Sequence, residues 1–423
     1  MNKLIEALRN RDVRMRLIFT VLMLMVFRIG SNIPVPGINH NVLEQTFNGD
    51  MGLFDLFDLF SGGSFSNFTV FALGVTPYIT ATIVVQLLTY AFPTLENLQD
   101  AGMAGQKKLI EINRRLAIIL ALIQGAGLTF GLFRKSVINT SPFVSVMIVG
   151  ILVAGSAFLM WVGEQIEEYG IGNGMSILIF GGIAARIPSD IRSLAHTYKE
   201  GQLQVISLVL LIIAAIIVIG VVVLFQKGKR EIPVHYATRV VGRKTYKGEN
   251  TYIPIKVNAA GVMPIIFAIS LLQFPITIAY FFPKSKYYSF CSHYLSTTGS
   301  PGIWIYSALN IILTFLFTFM YVAIIFKPEK IAKNMAQAGG FIPGIRPGKD
   351  TENYLNTVSR RLCVVAGIFL AAVETLPVIV SQATPIDFRF GGTSLLILVG
   401  VALDMVDQME NRALLYKQSG FLL

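Results

Sequence analysis

The stretch that decides the reading is residues 61–88, SGGSFSNFTVFALGVTPYITATIVVQLL, where a short apolar segment broken by glycine and serine runs directly into a membrane-spanning pattern. Gly62 and Gly63 cost little to bend, so the segment Phe60, Ser61, Gly62, Gly63, Ser64 and Phe65 can fill a polar cavity inside a helix bundle and leave it again. It has the character of a plug on a hinge, extending over about residues 53–68.

The rest of the chain supplies the membrane. Of 423 residues, 54% are hydrophobic and only 14% charged, with a mean hydropathy of +0.64. That is too apolar for an ordinary soluble domain. A bilayer core of about 30 Å needs about 20 mostly apolar residues per helix. Ten stretches qualify or nearly do, at 16–36, 70–92, 114–133, 143–163, 173–188, 203–226, 257–282, 302–326, 358–380 and 391–410. The expected fold class is therefore an all-α polytopic membrane protein. Ten spans divide into halves of five, 1–200 and 201–423, and an odd number inverts the second half relative to the first.

Basic residues set the orientation. Lys3, Arg9, Arg11, Arg14 and Arg16 precede the first span; eight Lys or Arg lie from Lys227 to Lys256 and seven from Lys327 to Arg361, while Ile38 to Ser66 has none. The positive-inside rule then puts both termini, the loop after Phe92 and the basic loops at about 227–256 and 327–357 in the cytosol, and starts the plug-like segment outside. The acidic loop Glu164–Asn173 departs from the charge pattern, but acidic residues contribute little to orientation. Arg28–Gly37 (RIGSNIPVPG) offers no small-x-small cleavage site, so the first span reads as an uncleaved helix. Cys291 and Cys363 fall on opposite sides of the membrane in this topology and form no disulfide framework.

Catalysis finds no footing in the residue inventory. His40, His196, His235 and His293 fall in expected loops, and no HExxH, GxSxG, CxxC or P-loop pattern occurs. No metal or cofactor is implied. Among intramembrane charges, Arg28, Glu374, Asp404 and Asp407 each lie near a span end, where a charge can reach the headgroups or pair with another helix. A proton-coupled transporter would want an acid near the midplane.

The cytosolic loops carry a second signal. EIPVHYATRVVGRKTYKGENTYIPIKVN at 231–258 reads as a projecting hairpin with Arg239, Arg243 and Lys244 near its tip. FIPGIRPGKD at 341–350 sets Arg346 between Pro343 and Pro347. Such loops can serve membrane lipid headgroups or orientation alone. Rigid, projecting basic loops also suit a large acidic partner, such as the polyanionic ribosome or a cytosolic motor.

The segment 61–88, with GEQIEEYGIGNGMSILIF at 163–180, KVNAAGVMPIIFAISLLQFP at 256–275, GGFIPGIRPGKDTENYL at 339–355 and GGTSLLILVGVALDMV at 391–406, resembles the bacterial SecY family, the channel subunits of the general protein translocase. The resemblance implies two inverted five-helix halves around a central hourglass pore with a plug, in the cytoplasmic membrane. It implies a pore ring of Val75, Ile79, Met175, Ile179, Ile266 and Ile397, of which 75/79 and 175/179 are i, i+4 pairs on one helical face. It further implies a lateral gate with polar positions Thr80, Gln86, Gln124 and Asn258. The implied partners are SecE, SecG, the SecA motor ATPase, the ribosome and signal-bearing polypeptides. The implied function is a passive channel that moves such polypeptides across the membrane or releases hydrophobic segments sideways. A secondary transporter for a small solute is the alternative, and an enzyme a distant third.

Overall fold

The computed structural model describes residues 10–39, 42–43, 58, 61–138, 141–199, 205–236, 239–241, 244–246, 251–279, 281–282, 285–295, 302–383 and 392–419. Each of the ten apolar stretches contains a helix. In the first half of the chain these are α1 (Arg11–Gly30), α2 (Thr76–Ala91), the short α3 (Pro93–Asp100), α4 (Met103–Ala126), α5 (Pro142–Tyr169) and α6 (Gly174–Lys199). In the second half they are α7 (Val205–Lys227), α8 (Met263–Ala279), the short α9 (Lys286–Tyr294), α10 (Gly302–Ile325), the short α11 (Pro328–Gln337), α12 (Lys349–Ala383) and α13 (Gly392–Ser419).

Local chemistry sets several boundaries. Asn10 caps α1 by accepting the Asp12 N–H at 3.1 Å, satisfying one orphan donor of the first turn. Pro77 sits in the first turn of α2, and Pro93 opens α3, which bends away from α2 by 104°. A proline at a helix start loses no intrahelical bond, so these positions begin helices rather than break them. By length and composition, Pro142–Tyr169, Gly302–Gln337 and Lys349–Leu376 are long and apolar enough to cross a membrane. The bent pair α2–α3 is a fourth candidate, and Gly174–Ser189, Ile212–Lys227 and Met263–Ala279 are shorter apolar helices.

The outside of the bundle carries large apolar side chains, and polar groups lie among the apolar ones inside. Leu224, Phe143, Ile312 and Ile216 lie exposed on the outside of the bundle, while Thr314, Thr318, Gln124, Asn310 and Glu374 lie buried within it. A surface this apolar is at home in lipid. Glu374 on α12 accepts hydrogen bonds from Asn310 Nδ2 and, at 3.1 Å, from Thr314 Oγ1, both on α10. Of the two environments expected for it, headgroups or a neighbouring helix, the structure selects the helix.

Several boundaries, and the places of three histidines, depart from expectation. α2 starts at Thr76 rather than 70, because residues 61–75 are turns tied to the segment after α1 by Val35 N–H to Phe68 O at 3.1 Å and Val70 N–H to Ile33 O at 3.0 Å. α6 runs through Pro188 to Lys199. α12 begins nine residues before the expected span. His196, His235 and His293 lie in α6, a strand and α9, not in loops.

The basic loops fold together. β1 (Lys229–Tyr236) pairs antiparallel with β4 (Thr251–Lys256), in register from Lys229↔Lys256 to Val234↔Thr251. Between them β2 (Arg239–Val241) pairs with β3 (Lys244–Tyr246), so the expected hairpin is present. β5 (Gly340–Phe341) adds to the other edge of β1. Ile232, Val234 and Ile255 of the hairpin share a small core with Met335, Ile342 and Leu355. Two loops that the sequence separates are thus one folded unit.

The Glu374 network joins α10 to α12, so Glu374→Ala should lower stability by about 2 kcal/mol by leaving Asn310 and Thr314 without their acceptor, whereas Glu374→Gln should cost less. Thermal unfolding of the purified protein in detergent measures both.

Candidate functional site

The site grows from one face of α6. Met175, Ile179, Gly182 and Arg186 follow at spacings of four, three and four, which aligns them in a stripe along the helix. Apolar side chains from three other places belong to the same buried cluster as the first two. Val75 precedes α2 and accepts the Ile79 N–H at 3.1 Å, which continues the helical geometry and keeps the two on one face. Ile266 comes from α8 and Ile397 from α13. All six are buried and belong to one apolar cluster. That cluster is large and also includes Phe27 of α1, Leu120 of α4, Leu159 of α5, Phe317 of α10 and Leu370 of α12. Met175 leans on α5: a Cβ on Gly163 would lie 2.7 Å from its Cε and 2.9 Å from its Sδ.

One turn beyond Ile179, the plug-like segment lies against α6. A Cβ added to Gly62 would lie 2.7 Å from the Cα of Gly182, so only glycine allows the two backbones this close. Gly62 and Gly63 have φ of +66° and +88°, where L side chains are strained. Gly62 is therefore needed for contact as well as for bending. Phe65 and Phe68 pack edge-on against Phe133, with ring centroids 5.8 and 4.6 Å apart. Ser61 Oγ accepts the Phe65 N–H at 3.0 Å, and Arg28 Nη1 donates to Gly62 O at 3.4 Å. Asp58 accepts the Ser66 N–H at 2.9 Å and pairs with Arg186 Nη1 at 3.0 Å. Phe60 and residues 53–57 lie outside the described residues.

The expected gate residues do not bond one another. Thr80 Oγ1 donates to Thr76 O within its own helix at 3.0 Å, and Asn258 Nδ2 donates to Gly261 O at 3.0 Å. The acceptor oxygens of Gln86, Gln124 and Asn258 are buried without a partner among the described residues, as are both amide atoms of Gln273 on α8. A buried polar atom left unpaired costs about 1–3 kcal/mol. Packing between α2 and α8, rather than a polar latch, closes this seam.

On the unit formed by the two basic loops, Arg346 is exposed and Thr351 Oγ1 donates to its carbonyl at 2.9 Å. The turn around it uses Gly344 and Gly348 at φ of +80° and +102°. Arg239 and Lys244 have their backbones in β2 and β3, and Arg243 lies outside the described residues. Sequence reasoning missed a link between the halves of the chain: Lys327 and Lys330 Nζ lie 2.9 and 2.8 Å from Asp100 Oδ1 at the end of α3. Hydrogen bonds from Lys330 and then Lys327 hold the Asp100 carboxyl at about 2, below its ordinary 3.8. Near the end of α5, Arg114 of α4 grips Glu164 with contacts of 3.2 and 2.7 Å.

A model of the SecY family matches residues 69–406. A protein of Halalkalibacterium halodurans named protein translocase subunit SecY is 42% identical over 426 residues, covering 98% of each chain. One of the same name from Thermotoga maritima is 40% identical over 428 residues, covering 99% of this chain and 96% of that one. Among solved structures, one concerning the plug domain of the SecY protein superposes with a TM-score of 0.70 at 20% identity, covering 95% of this chain and 92% of that one. Sec61 in the canine ribosome–channel complex superposes at 0.63 and 19% identity, with 95% and 92% covered. At these identities the two structures speak to the fold.

Because Asp100 is held below its ordinary range, its link to α11 is fully formed above pH 3.8 and is lost only as pH falls through about 2. Spin labels at Leu98 and Asn334 should report an unchanged distance between pH 8 and pH 5 in the native protein. Asp100→Asn should broaden that distance at every pH.

Proposed function

The chain belongs to the SecY family, and from that premise we propose how it works as a protein-conducting channel that carries polypeptides across a membrane. The observation that carries the mechanism is that Val75, Ile79, Met175, Ile179, Ile266 and Ile397, from the start of α2, α6, α8 and α13, are all buried in the same apolar cluster. Around such a neck, the ten apolar stretches span the membrane as two five-helix halves, 1–200 and 201–423, with both termini in the cytosol.

An apolar neck passes an extended chain and holds back ions for one physical reason. A small ion entering it exchanges its hydration for hydrocarbon, which is very costly. A polypeptide brings its own bulk, and Ile, Val and Met side chains can shift rotamer around it. Met175, resting against Gly163, has the most freedom to do so. The segment from about 53 to 68 closes the outer side as a plug, seated on Gly182 one turn from the neck.

Hydrophobic segments leave sideways between α2 and α8. The polar atoms at Gln86, Gln124, Asn258 and Gln273 that have no partner among the described residues keep this seam weak, so an arriving apolar helix can part it. Family membership gives no support to solute transport. Conduction needs no catalytic group in this chain, and the energy comes from partners: the SecA motor or the translating ribosome, with SecE and SecG alongside. The exposed Arg346 and the hairpin bearing Arg239, Arg243 and Lys244 form the docking face.

Two experiments test this. Ile79→Ser together with Ile179→Ser should wet the neck and raise resting ion conductance in planar bilayers about tenfold or more; unchanged conductance would remove the neck from these residues. Arg346→Glu should cut motor-driven transport of a secretory precursor into vesicles by about tenfold, because a guanidinium offers directional contacts that neighbouring lysines do not copy. Channel amount and protease accessibility should stay at the native level. Normal transport would reduce Arg346 to an orientation signal.

A further inference from the structure

Asp58 and Arg186 form a charge pair whose side chains are only 12% and 15% exposed, and neither conduction nor lateral release needs charge at this depth. The pair joins two parts of the molecule that must separate if the plug is to move. Arg186 lies on the α6 stripe that begins at Met175 and Ile179 and continues through the Gly182 seat. Asp58 organises the plug itself: one carboxylate oxygen accepts the Ser66 N–H at 2.9 Å, the other faces Arg186 Nη1 at 3.0 Å, and its carbonyl accepts from Gly63 N–H at 3.1 Å. Displacing the plug pulls the whole Asp58-capped turn from Arg186, so both charges must find water at once.

We propose that the Asp58–Arg186 pair is the latch that sets how tightly the plug closes, with both acting as positioning residues for gating. This rests on the reading of residues 53–68 as the plug. The apolar contacts of Phe65 and Phe68 with Phe133 hold the segment whatever its charge. The ion pair adds direction, because it is satisfied only when the turn sits over Gly182. A pair this little exposed suits a latch because an unpaired charge at that depth is costly, so the closed state is favoured sharply over partly opened ones. Once the plug is out, each partner can be hydrated and the same pair no longer opposes the open state.

The test is resting conductance in planar bilayers, with protease accessibility confirming native insertion, across five channels: wild type, a deletion of Gly62–Asn67, Arg186→Gln, Asp58→Asn, and the double variant. Asp58→Asn keeps an acceptor for Ser66, so it removes charge without removing the turn. The deletion and each single variant should raise conductance, the singles by about tenfold. The double variant should leak no more than the leakier single, because it leaves no orphan charge. Arg186→Lys should stay near wild type, and it decides against Asp58→Asn if Arg186→Gln does not insert. A leaky deletion with tight single variants would overturn the latch and leave the plug reading standing. Singles whose effects multiply in the double variant would also overturn it. A deletion that does not leak would overturn the plug reading itself, and the latch with it.

Discussion

Apolar contact between side chains that come from separate helices and meet in one buried cluster is the interaction on which the rest of this molecule depends. Val75 with Ile79, Met175 with Ile179, Ile266 and Ile397 come from four separate parts of the chain and belong to one buried cluster. A bundle immersed in hydrocarbon gains little from burying more hydrocarbon. What holds its centre is close packing and the exclusion of water, and both require that no ion find a partner there. The same requirement makes the bundle tight at rest and deformable in use.

Glycine makes the close packing possible. Gly163 yields space to Met175, and Gly62 meets Gly182 with room for no side chain. Polar groups then divide by what they join. Glu374 with Asn310 and Thr314 ties α10 to α12 inside one half of the chain. Around the seam between α2 and α8, the oxygens of Gln86, Gln124 and Asn258 and both amide atoms of Gln273 have no partner among the described residues, and at the end of α3 Asp100 bridges to Lys327 and Lys330. Residues 1–200 and 201–423 are joined by these exposed ion pairs, by packing, and by the Gly172 N–H donating to Gln408 Oε1 at 2.8 Å.

Much of this was legible in the residues. Each apolar stretch became a helix, the 75/79 and 175/179 spacings put their residues on one face, and the alternation at 231–258 became a paired hairpin. The failures share a cause, which is that long-range pairing leaves no local pattern. β5 has two residues and no strand periodicity, so its union with β1 was invisible. Asp58 and Arg186 are remote in sequence, although an Arg in an apolar stretch and an Asp in a segment without Lys or Arg were each a hint. The start of α2 was set too early because residues 70–75 are apolar, and hydropathy does not register turns held by backbone bonds to residues 33 and 35. The polar gate positions were identified by motif, yet their hydrogen bonds stay within their own helix or loop.

The most direct measurement of channel function is where a polypeptide in transit touches this chain. A secretory precursor stalled during transport, carrying a photoreactive residue at successive positions, should crosslink in its membrane-embedded stretch to Val75, Ile79, Met175, Ile179, Ile266 and Ile397. It should not reach the interior of the α10–α12 pair around Asn310 and Glu374. Crosslinks concentrated at Asn310, Thr314 and Glu374, with none at the six apolar positions, would contradict a conduction path through the apolar neck.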